Sequence, residues 1–183
     1  AKRGAFGAVV VEPPGAFYTD PTTGRALKSG VLADILSPSV SFREYAVLLQ
    51  DEDERFGQSA MPYHRNVEGT TGINYSRMPF SERNGDPALV FSSALYGAPT
   101  LLAQAFPGDG FRFRVGQAWG EQAHVFAVEG QCFGQDADLG GSELMSARQV
   151  LPGESFDAIL HGGAGDGTGD TGDYLFLDHR TPF

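Results

Sequence analysis

Short apolar runs, each stopped by glycine or proline, are the feature that most restricts this chain. Glycine (25) and proline (11) are spread along its 183 residues. No run has the length or the 3.6-residue period that a helical domain would need. The runs have the character of strands: AFGAVVVE at 5–12, FREYAVLLQ at 42–50, PALVFSS at 87–93, FRFRV at 111–115, QAHVFAVEG at 122–130, LMSARQV at 144–150, SFDAIL at 155–160 and DYLFLD at 173–178. The first, unbroken and closed by PPG, predicts a buried strand, and an edge left open there would invite strand addition. In FRFRV the alternation sends Phe111, Phe113 and Val115 inward and Arg112 and Arg114 outward. Residues 17–30 form a loop with two turn signals, 55–72 an irregular excursion, and PTLLAQAF (99–106) one or two helical turns before the turn PGDG. Strands at this spacing predict an all-β fold, an antiparallel sandwich or barrel.

Charge and cysteine content remove several classes of function. The net charge is −10, from 13 basic and 23 acidic residues, so nucleic acid and anionic membrane are poor partners. No apolar run approaches the ~18–20 residues of a membrane span. No secretory signal pattern opens the chain, which leaves secretion open because a signal is removed on maturation. Cys132 is the one cysteine, which rules out an internal disulfide, a zinc finger or a CxxC site.

Two segments carry chemistry: HVFAVEG at 124–130 and GDYLFLDH at 172–179. Strand pleat places His124, Phe126 and Val128 on one face and Val125, Ala127 and Glu129 on the other. It likewise sets Leu177 and His179 opposite Asp178. Together with RGAFGAVVVEPPG, FREYAVLLQDED, INYSRMPF, PGDGFRFRV and PGESFDAIL, in this order, these stretches resemble a cupredoxin-type domain of the multicopper oxidases, of the ceruloplasmin-like and bacterial manganese-oxidase-like kind.

The resemblance implies a cupredoxin-like Greek-key β-sandwich. Residues 1–40 would hold the closing strand of a preceding cupredoxin domain plus a linker, and 41–183 a domain lacking its last strand. Copper-loaded relatives carry His-x-x-His-x-His-Gly and Gly-x-Trp-x-x-His-Cys-His-x-x-x-His. There the inward His and Cys hold blue copper, and the outward histidines face a trinuclear cluster. On that frame His124 keeps an inward ligand position, Asp178 replaces the thiolate, and Phe183 stands where a second inward His belongs. Ala127, Glu129 and Leu177 replace outward histidines, and His179 remains. Blue copper needs a thiolate and two imidazoles, so the expectation is no copper in this chain, with His124 and His179 as remnant metal positions. His124 and Asp178 are then expected to form a buried polar pair, because a buried carboxylate is costly without a partner. Glu129 and His179 are expected to meet at a domain interface, or at a metal site completed by another chain.

The glycine-rich HGGAGDGTGDTGD (161–173) lacks the Lys-Ser/Thr and the helix of a phosphate loop. It is expected to be a flexible hairpin loop, with calcium on Asp166, Asp170 and Asp173 as the alternative. DEDE (51–54) is a solvated strand exit, His64 an exposed residue, His161 a strand end, and Trp119 and Tyr96 core or rim aromatics. No elbow motif or HExxH occurs. The expected function is a structural, copper-depleted domain of a multicopper-oxidase-like protein, extracytoplasmic or secreted. Its parent would oxidise Mn(II), other metal ions or phenols with copper and dioxygen. Its partners would be neighbouring cupredoxin domains or copies of itself. Two alternatives stand beside it: an oxidase subunit that completes a copper cluster between chains, and an interaction or calcium-binding β-sandwich module.

Overall fold

The computed structural model describes residues 7–50, 72–73, 102–120 and 123–179. Among them there is no helix, and eleven strands follow one another: β1 (Phe17–Thr19), β2 (Leu32–Leu36), β3 (Ser41–Gln50), β4 (Gly72–Ile73), β5 (Phe111–Trp119), β6 (His124–Val128), β7 (Phe133–Gly134), β8 (Leu144–Met145), β9 (Ala147–Val150), β10 (Ser155–Ile159) and β11 (Phe176–Asp178).

A large sheet runs β1-β2-β3-β5-β10, with β4 also on β3; a small sheet runs β11-β6-β9; and β7 and β8 form a ribbon. All pairings are antiparallel except the central one, β3 with β5. Residues 17–36, expected to be largely linker, supply two strands of the large sheet through β2 on β3. A parallel pair needs a long crossover, and here it spans the chain between Gln50 and Phe111.

The two sheets pack face to face on an aromatic core, as a β-sandwich does. Tyr45, Val47 and Leu49 of β3 and Phe111, Phe113 and Val115 of β5 face Phe126 and Val128 of β6, Val150 of β9 and Phe176 of β11. Phe113 sits at the centre, with ring centroids 5.3 Å from Phe126, 5.5 Å from Phe176 and 6.2 Å from Tyr45. These are tilted and edge-on separations, at which aromatic pairs attract beyond the area they bury.

Four local expectations are corrected. Residues 7–12 form no strand: Val10 and Glu12 turn toward the protein, while Val9 and Val11 are 96% and 86% exposed. An apolar run becomes a strand only beside a neighbour that takes its hydrogen bonds, and the described sheets offer this segment none. Residues 102–106 form no helix, and their burial alternates: Ala103 and Ala105 pack on the core, while Leu102, Gln104 and Phe106 are exposed. Asp109 closes the turn that follows, its carboxylate accepting the Phe106 N–H at 3.0 Å. The run 144–150 breaks at Ser146 into β8 and β9, and the last strand is confined to 176–178. The strand expected at 87–93, the excursion at 55–71, DEDE, His64 and Tyr96 lie outside the described residues.

The glycine-rich loop is held at Ala164. Gly108 N–H donates to the Ala164 carbonyl at 2.7 Å, and Ala164 N–H to the Asp109 carbonyl at 2.9 Å. These bonds clamp the loop to the turn before β5. Ala164 and Gly165 are buried as a result.

Candidate functional site

His124 opens β6 on its inward side, in line with Phe126 and Val128, and is only 1% exposed. β11 runs antiparallel beside it, with Asp178 opposite Phe126. That register turns Asp178 into the same interior. Its Oδ2 lies 2.5 Å from His124 Nδ1, and its Oδ1 accepts the Val125 N–H at 2.9 Å. An ionised carboxylate can only accept, so Nδ1 carries the proton that joins the pair. One short side chain thus holds the ring and the start of β6 together.

Glu129 and His179 meet on the opposite side of the small sheet. Glu129 Oε1 is 2.7 Å from His179 Nε2, and the side chains are 54% and 47% exposed. The His179 N–H also donates to the Val125 carbonyl at 2.8 Å, extending the β6–β11 pairing past Asp178. Ala127, on that same outer side, is buried, so the outer side is not uniformly open to water. Exposed ion pairs contribute little, and His179→Ala is expected to lower unfolding free energy by less than about 1 kcal/mol in urea titration.

The remaining candidates stay dispersed. Among the described residues, no group of three or more His, Cys, Asp or Glu side chains is arranged to hold a metal ion. In the glycine-rich loop, Asp170 Oδ2 accepts the Thr168 hydroxyl at 2.9 Å, and Asp173 is exposed. His161 is an exposed residue just after β10, its N–H donating to the Cys132 carbonyl. Trp119 ends β5, half-buried. The donor set does not fit blue copper, because the inward histidine faces a carboxylate rather than a thiolate.

One cluster escaped the reading of the sequence. Arg114 was expected to point outward, which it does, but not into water. Its Nε donates to Glu44 Oε2 at 2.6 Å, its Nη1 to Asp157 Oδ2 at 2.7 Å and its Nη2 to Glu12 Oε1 at 2.6 Å. Arg112 lies over the Phe42 ring, 4.4 Å from its centroid, and 3.8 Å from Asp157. The signal was present in the alternation: Glu44 interrupts the apolar β3 as Arg112 and Arg114 interrupt β5, and opposite charges on neighbouring strands attract. Burial alone would lower Arg114, but the surrounding carboxylates, Glu44 foremost, outweigh it and hold the guanidinium above its ordinary value. No protein-family model matches the chain, and a search of curated proteins likewise finds no match.

Proposed function

We propose that this chain is a structural domain of cupredoxin type, with Greek-key connections, from a multicopper-oxidase-like protein that acts outside the cytoplasm. Copper-dependent oxidation of metal ions or phenols, coupled to dioxygen, belongs to its parent. This chain supplies scaffold and interfaces to neighbouring domains. One observation carries the reading: the Asp178 carboxylate lies 2.5 Å from the buried His124 Nδ1, at the position that the resemblance assigns to a copper-binding thiolate. A hydrogen-bonded pair satisfies both groups, so the interior is closed by a polar plug where relatives hold a metal. The face-to-face sheets and the parallel β3–β5 pair across a long connection also agree with this fold.

Copper loading followed by dialysis and elemental analysis tests the reading. The expected result is a colourless protein with far less than one copper per chain. Copper retained near one per chain, with the visible absorption of a thiolate site, overturns it. Copper retained by an assembly of several chains and lost in His179→Ala would support instead an oxidase subunit that completes a cluster between chains.

A further inference from the structure

The N-terminal segment meets the outer face of the large sheet at one guanidinium. Glu12 reaches Arg114 from that segment, Glu44 from β3 and Asp157 from β10. The Glu12 side chain is 1% exposed, although its neighbours Val9 and Val11 are almost fully so. Its second oxygen, Oε2, is buried without a hydrogen-bond partner among the described residues. With Arg112 beside Asp157, the charged groups around Glu44 among the described residues are Glu12, Arg112, Arg114 and Asp157. Among the described residues of this cluster, three carboxylates and two guanidinium groups leave a net charge of minus one when all are ionised.

That excess has a place to go. Burial, with a further push from Glu12 and against the pull of Arg114, raises the Glu44 carboxyl from 4.5 to about 7. Glu44 on Nε and Glu12 on Nη2 sit side by side on one edge of the Arg114 guanidinium, so a protonated Glu44 can donate toward a carboxylate that otherwise lacks a donor for one oxygen. Two carboxyl groups sharing one proton beside a cation form a stable arrangement.

We propose that Glu12, Glu44 and Arg114 form a latch that fastens the N-terminal segment to the outer face of the large sheet and loosens as pH rises through neutrality. The direction follows from linkage. Glu12 adds its push on the Glu44 carboxyl only while the segment is docked, so Glu44 binds its proton more tightly with the segment in place than after release. The contribution of the Glu44 proton to docking is therefore present on the acid side of neutrality and is lost as pH climbs through about 7. Between pH 6 and pH 8 the docking equilibrium falls by up to about tenfold. The latch is independent of whether a metal was ever bound in this fold.

A spin label at Val9→Cys in a Cys132→Ser background reports on it, because Val9 is exposed and tolerates a probe. In the otherwise unchanged protein, the mobile fraction of the label is expected to increase from pH 6 to pH 8 with a midpoint near 7. Glu44→Gln keeps an acceptor for Arg114 and removes the titration, so its label stays immobile at both pH values. Glu12→Gln removes the anchoring charge, so its label is mobile at both, with far-ultraviolet circular dichroism confirming an intact sheet. A label equally immobile at pH 6 and pH 8 in the unchanged protein overturns the latch. A pH transition that survives in Glu44→Gln overturns it as well.

Discussion

Replacing Gly163 with alanine is expected to cost about 3–4 kcal/mol of unfolding free energy. Gly163 has a φ of +82°, and a Cβ there would lie 2.6 Å from the Gly108 carbonyl oxygen and 2.7 Å from that of Asp109. Both obstacles are backbone, so no side-chain rotation relieves them. The left-handed conformation contributes about 1–2 kcal/mol, and pushing the strands of chain apart weakens two backbone hydrogen bonds, worth about 1 kcal/mol each. Gly169 supplies the control, with a φ of +79° and open space around its missing Cβ. Gly169→Ala should cost only about 1 kcal/mol. Urea unfolding of both variants checks the comparison. Equal losses would show that the loop does not press on the turn before β5.

Asp178→Ala is expected to cost about 3 kcal/mol. It removes the acceptor of both the His124 ring and the Val125 N–H, and each orphaned buried donor costs about 1–3 kcal/mol. For a chain of this length the loss corresponds to a fall in Tm of about 6–12 °C. Asp178→Asn retains one carbonyl acceptor and should lose less than half as much. A Tm unchanged in Asp178→Ala would remove the pair as a stabilising element, whatever its distance.

The alternation of strands was the most legible part of the fold. FRFRV alternates cleanly enough that the inward set Phe111, Phe113 and Val115 is buried in the core. The same period-two rule, applied to HVFAVEG and GDYLFLDH, brings His124 to Asp178 and Glu129 to His179, because pleat and register leave those side chains few other directions. What could not be read was which neighbour each face would meet. AFGAVVVE is as apolar as any core strand, yet no described strand pairs with it, and the residue that anchors it is the charged Glu12 rather than a valine. Arg114 was placed on the correct face, but whether that face met water or three carboxylates depended on segments distant in sequence. PTLLAQAF carries good helix formers, and tertiary packing of two alanines overrides that preference. The glycine loop has a composition that suggests mobility, and its clamp rests on backbone hydrogen bonds that composition does not encode.

The parallel pairing of β3 with β5 has a consequence for how the chain comes to be folded. Arg43 and Phe111 are register partners about 70 residues apart, and closing so long a loop must precede any gain from the contact. During synthesis, β3 leaves the ribosome with Val47 and Leu49 uncovered and waits for Phe113 and Val115 to be made. Chains of this kind fold in milliseconds to seconds rather than microseconds. A ribosome stalled before β5 would therefore present the apolar face of β3 uncovered, the kind of exposed strand that aggregates or is held by chaperones.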